Sequence, residues 1–171
     1  MRGPLVEVIL GPTPQDTQLI VDAGGTPKAF KHFLLVDTGA QSTCVEDSIA
    51  KALGLNPIRF TKLIGVSGQV EDRPVYRMSV TIGMKTDRGV VEPAVFTADI
   101  VGTNSPVTPQ PFMGLLGRDF LQFVRLVYDG PMAEFELVDY RHVSAPPPNI
   151  RSGWKGIASA KKKAQKHKRR H

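Results

Sequence analysis

From residue 4 to residue 140 the chain is built of short apolar or alternating runs, at 5–10, 18–21, 33–36, 75–82, 95–101, 124–128 and 133–138. Between them lie turn formers: Gly24-Gly25, Gly65, Gly68 and Asp129-Gly130-Pro131. Such regular punctuation predicts short strands joined by turns. It favours an all-β sandwich or closed barrel over alternating βαβ units. Two short helices are expected. In 46–53, Ile49, Ala50 and Leu53 fall at helical spacing and Gly54 stands where a helix would end. A second, of one or two turns, is expected over 118–123.

At 171 residues the length suits a single domain with a real core. The pattern changes after Val143. Ala145-Pro146-Pro147-Pro148-Asn149 cannot join a sheet, and Lys161-Lys162-Lys163 and Lys166-His167-Lys168-Arg169-Arg170-His171 follow it. The expected division is a folded domain at 1–143 and a Pro-rich linker with a disordered basic tail at 144–171. Charge divides the same way. The first 150 residues hold 13 Lys and Arg against all 16 acids, a net −3, while the last 21 residues carry +9. The overall +6 therefore describes a basic tail, not a basic domain face. That tail is a candidate for nonspecific nucleic-acid or anionic-surface contact, or simply a solubilising extension.

No run approaches the roughly 18 apolar residues of a membrane span, and 1–15 does not read as a signal peptide. Cys44 is the only cysteine, so an internal disulfide is excluded and a reducing, cytoplasmic setting is expected. His32, His142, His167 and His171 have no metal-ligand set around them, and there is no P-loop glycine pattern. No metal or cofactor is expected. Cys44 has no evident base partner and reads as a buried small hydrophobe.

The chemistry centres on 33–39. Phe33-Leu34-Leu35-Val36 runs straight into Asp37-Thr38-Gly39-Ala40. A carboxylate at the end of a buried strand is expensive unless it is compensated. Thr38 offers a hydroxyl and Gly39 permits close backbone approach. Alone, Asp-Thr-Gly is also ordinary turn chemistry. A second element, Phe112-Met113-Gly114-Leu115-Leu116-Gly117-Arg118-Asp119-Phe120-Leu121, is an apolar run broken by Gly117 before a charged pair. Between the two, Gly65-Val66-Ser67-Gly68 separates segments 60–64 and 75–82, which can pair as a mobile hairpin.

These three elements, in this order, resemble the retropepsin-like aspartic proteases, in their bacterial and cellular single-domain form. The resemblance implies a closed β-barrel or sandwich with one or two short helices, active as a homodimer. It implies Asp37 as the catalytic aspartate and Thr38, Gly39, Ala40, Gly117 and Arg118 as support for the active-site loop. It also implies Gly65, Val66, Ser67 and Gly68 as a substrate-covering flap. Gln41 departs from the viral pattern, which has an aspartate there to pair with the arginine. Arg118 then needs another partner, such as Asp119 or an acid of the second subunit.

Hydrolysis by this route needs two carboxylates about 3 Å apart sharing a proton. The chain has one Asp-Thr-Gly and no internal repeat, so a twofold pair of chains must supply the second. The expected activity is endoproteolysis of a peptide or protein substrate. The alternative is a catalytically silent retropepsin fold serving as a binding or dimerisation module. The hairpin at 124–138 is the candidate dimer interface.

Overall fold

The computed structural model describes residues 3–64, 68–86, 88–104 and 110–139, all within one compact unit, Met1–Arg141. The linker and tail expected at 144–171 lie outside the described residues, as do Gly65, Val66 and Ser67.

Six strands close into a barrel. They are β1 (Leu5–Gly11), β2 (Phe30–Val36), β3 (Cys44–Glu46), β5 (Val70–Lys85), β6 (Val91–Thr103) and β7 (Gly114–Leu116). Pairing runs β1-β2-β7-β3-β6-β5 and returns from β5 to β1, with Val8 opposite Ile82 and Leu10 opposite Val80. Closure removes the free edges that a small sheet would otherwise expose. β4 (Arg59–Ile64) pairs only with the first part of β5, forming a hairpin that extends beyond the barrel. A second hairpin, β8 (Val124–Asp129) with β9 (Glu134–Asp139), joins the barrel where Lys85 meets Val138.

Period-two alternation fills the interior. Tyr76, Met78, Val80, Ile82 and Met84 of β5 are buried while Arg77 between them is exposed. They meet Val8, Leu10, Leu34, Ile100 and Leu116 from the neighbouring strands. Val75 turns to the opposite side and packs in a smaller cluster with Cys44, Val101 and Leu115.

The structure corrects two features of the sequence reading and adds a third, the short strand β3. Segment 18–21 is not a strand but part of α1 (Pro14–Asp22). Thr13 caps that helix by accepting the Asp16 N–H at 3.1 Å, and Pro14 sits in its first turn, where a missing N–H does no harm. The strand expected at 75–82 runs from Val70 to Lys85 without a break at Pro74, which pairs opposite Phe60. The third, β3, is too short to show any period. Both other helices form where expected: α2 (Asp47–Ala52) and α3 (Arg118–Leu121). Gly54 follows α2 at φ +77°, the left-handed conformation that favours glycine.

Candidate active site

Asp37 follows the last residue of β2, where the backbone leaves the barrel as a tight loop. Its N–H donates to the Leu116 carbonyl of β7 at 3.1 Å, and Val36 N–H donates to Pro4 O at 2.9 Å. The side chain then organises the loop. Asp37 Oδ1 accepts the Gly39 N–H at 2.8 Å and the Ala40 N–H at 3.2 Å. A Cβ at position 39 would lie 3.1 Å from that oxygen, so the glycine lets the turn close tightly over its own carboxylate. The second oxygen, Oδ2, has no partner among the described residues. Thr38 is exposed and makes no side-chain hydrogen bond among them.

The second motif lies beneath this loop. Arg118 N–H donates to Ala40 O at 3.0 Å and Asp119 N–H to Gln41 O at 3.2 Å, tying the start of α3 to the loop. Gly117 is required by space, since its backbone is extended at φ −87°. A Cβ there would stand 2.5 Å from Ser42 C and 2.8 Å from Thr43 N. Gly114 is tighter still, with its Cβ position 2.0 Å from Cys44 O.

Asp119 does not pair with Arg118. Its carboxylate accepts the Thr43 N–H at 2.9 Å, the Thr43 hydroxyl at 2.7 Å and its neighbour's Phe120 N–H at 2.8 Å. Thr43 Oγ1 in turn accepts the Gly117 N–H at 3.0 Å inside the protein. A buried hydroxyl used as both donor and acceptor leaves none of these groups unsatisfied. Arg118 is exposed at the cleft wall and forms no ion pair among the described residues. Its backbone, not its guanidinium, supports the loop.

Asp37 lies in a cleft of about 880 Å³, a size suited to several side chains of an extended peptide. One wall comes from Ala40, Ser42 and Cys44, another from Phe112, Met113 and Leu115, and a third from Lys62, Leu63 and Ile64 of β4. The hairpin expected to act as a flap thus contributes β4 to the cleft. Gly68, two residues before β5, has φ +82° and open space around its Cβ position. Cys44 is buried in the first of these walls. Burial raises its thiol pKa, a backbone hydrogen bond involving Leu115 opposes this, and the Asp119 and Asp37 carboxylates add to the rise. A neutral, buried thiol is a poor nucleophile. His32, on β2, is shifted down by burial, with Glu46 opposing the shift. Among the described residues, no three His, Cys, Asp or Glu side chains are grouped to hold a metal ion.

Sequence reasoning missed Thr43, Asp119 as a structural carboxylate, and Gly114. Asp119 was visible only as a possible partner for Arg118. Nothing local in the sequence links Thr43 to a residue 76 positions away.

A closed six-stranded barrel carrying an Asp-Thr-Gly loop braced from below by a glycine-led helix is the architecture of a retropepsin-like protease domain. The family model described as "gag-polyprotein putative aspartyl protease" matches residues 28–123, from just before β2 to just after α3. The chain belongs to this retropepsin-like aspartyl protease family. No curated protein matches it. No helix among the described residues is long and apolar enough to cross a membrane.

Proposed function

We propose that the protein is an aspartic endopeptidase active as a homodimer, in which two copies of Asp37 meet across a twofold axis. The carrying observation is the state of Asp37: one oxygen fixed by two loop N–H groups, the other without a partner among the described residues, in a cleft able to take a peptide. Two such carboxylates about 3 Å apart cannot both ionise, so they share one proton. The ionised member takes a proton from a water held between them as that water attacks the scissile carbonyl carbon. The protonated member donates to the carbonyl oxygen, giving a neutral tetrahedral diol. Proton transfer to the amide nitrogen then lets the C–N bond break. Thr38, exposed in the single chain, is positioned to brace its counterpart. The β4–β5 hairpin covers the bound peptide, and Gly65, Val66, Ser67 and Gly68 are the flap residues of this reading.

The test is cleavage of a peptide library by wild type and Asp37→Asn, with dimerisation followed in parallel. Wild type should cleave and be inhibited by pepstatin. The variant should fold and dimerise but lose cleavage. Undiminished, pepstatin-insensitive cleavage by Asp37→Asn would overturn the assignment.

A further inference from the structure

We infer that Arg118 sets substrate specificity, its guanidinium receiving an acidic side chain of the peptide close to the bond that is cut; this rests on the protease reading. Asp37 and Arg118 line the same cleft. Ala40 alone joins them through hydrogen bonds, its N–H donating to Asp37 Oδ1 at 3.2 Å and its carbonyl accepting the Arg118 N–H at 3.0 Å. An extended peptide, at about 3.3 Å per residue, covers that span in roughly three residues.

Arg118 is exposed and forms no ion pair among the described residues. The neighbouring acid in the chain is already committed. Both oxygens of Asp119 accept the Thr43 N–H, and Oδ1 also accepts the Thr43 hydroxyl and the Phe120 N–H. On the loop bonded to α3, Gln41 and Ser42 line the cleft with an amide and a hydroxyl, and neither side chain has a hydrogen-bond partner among the described residues. This wall therefore offers three donors, one of them charged, and no carboxylate of its own. The other charges of the cleft are placed differently. Lys62 stands opposite Asp72 across the β4–β5 pair, and Glu46 accepts the Ser48 hydroxyl at 3.4 Å.

Filling the cleft makes the free guanidinium decisive. Ile64, Phe112, Met113 and Leu115 give it apolar walls. A peptide laid against them strips water from Arg118, and a desolvated charge without a partner is strongly unfavourable. A Glu or Asp side chain supplies that partner, in a charge-assisted pair that a planar guanidinium can make bidentate. A Lys or Arg in the same place adds repulsion, so one residue both selects and rejects. A twofold pair of chains carries Arg118 on both sides of the scissile bond, and the acid is accepted on either side.

The experiment uses the full chain and a peptide library carrying Glu, Gln or Lys at each position within about three residues of the scissile bond. Wild type should cleave the best Glu peptide with a kcat/KM about tenfold or more above that of its Lys counterpart. Arg118→Gln should abolish the preference. Arg118→Glu should reverse it in favour of Lys, a gain that a merely damaged loop cannot produce. Sedimentation velocity on the same samples should give an unchanged dimer dissociation constant. An Arg118→Gln protein that keeps the preference for Glu but dimerises more weakly would assign the guanidinium to an acid of the second subunit and overturn the inference. Cleavage by wild type with no preference for Glu over Lys would also overturn it, while leaving the protease reading in place. Fluorescence anisotropy with a Glu peptide whose scissile bond is reduced separates the two readings. Binding that Arg118→Gln weakens about tenfold, in a protein that cleaves nothing, supports the role of Arg118 and removes the protease reading.

Discussion

Asp119 and Thr43 stand 76 residues apart in the chain, yet the carboxylate of one accepts both the N–H and the hydroxyl of the other, at 2.9 and 2.7 Å. This clasp fixes the far end of the Asp37 loop to α3, as Arg118 N–H to Ala40 O fixes its middle. Hydrogen bonds to an ionised carboxylate each contribute about 1.5–3 kcal/mol, and half-buried donors left unpaired add to the loss. Asp119→Ala should therefore destabilise the protein by about 2–4 kcal/mol, seen in denaturant unfolding. Asp119→Asn, which keeps acceptor capacity, should lose less. Both variants should cleave more slowly because Asp37 is less firmly placed.

Gly117 and Gly54 separate two reasons for glycine. At Gly117 the backbone is ordinary but a Cβ would lie 2.5 Å from Ser42 C, within the loop backbone itself. At Gly54 φ is +77° with nothing within 4 Å of the Cβ position. Gly117→Ala should force α3 away from the loop, destabilising by about 1–3 kcal/mol as overpacking does and reducing cleavage strongly. Gly54→Ala should pay only the left-handed conformational penalty, about 1–2 kcal/mol, and leave cleavage unchanged. Melting curves and peptide turnover on the two variants decide between the effects.

Much of this site was legible because its signals are local. Asp37-Thr38-Gly39 joins an apolar strand to a loop that folds on its own carboxylate, and Leu115-Leu116-Gly117 marks a buried strand meeting a constricted backbone. Alternation in 75–82 placed β5 in the barrel wall. The failures have physical causes too. Segment 18–21 has strand-like residues, but the Thr13 cap and Pro14 upstream start a helix before any strand can form. The strand expected at 75–82 starts earlier, at Val70, because β5 passes through Pro74 where it pairs with β4 in a two-stranded projection. The Thr43–Asp119 clasp depends on barrel closure and has no sequence period at all.

Tyr76 and Asp47 should give the stability profile two distinct limbs. The Tyr76 hydroxyl donates to Asp47 Oδ1, and Asp47 also pairs with Lys51. Burial, then the Asp47 hydrogen bond and charge, push the Tyr76 pKa from 10.0 up to about 12. Its contribution is complete below pH 10 and is lost as pH rises from there through about 12. For Asp47, burial acts upward, but the Lys51 and Tyr76 hydrogen bonds and the Lys51 and Arg73 charges outweigh it, leaving its pKa below 3.8. That contribution is complete well above pH 3.8 and is lost as pH falls below it. Tyr76→Phe should abolish the alkaline limb and shrink the acid one. Unfolding midpoints measured from pH 2 to 12 test both, and an unchanged alkaline limb in Tyr76→Phe would refute the pairing.

Cys44 offers a direct view of the same loop. Its thiol is buried in the cleft wall and held neutral by burial and by the nearby Asp119 and Asp37 charges, against a backbone hydrogen bond involving Leu115. Thiol reagents attack the thiolate, so both the missing charge and the missing access suppress reaction. A disulfide reagent at pH 8 should leave the native protein almost unlabelled and label one thiol per chain in denaturant. Labelling under native conditions then measures how often the loop opens, since exposure of Cys44 requires β3 to part from Leu115 of β7. Asp119→Ala should speed that labelling by about tenfold or more, matching the stability lost with the clasp. Equal labelling rates in wild type and Asp119→Ala would mean that the clasp does not hold the loop closed.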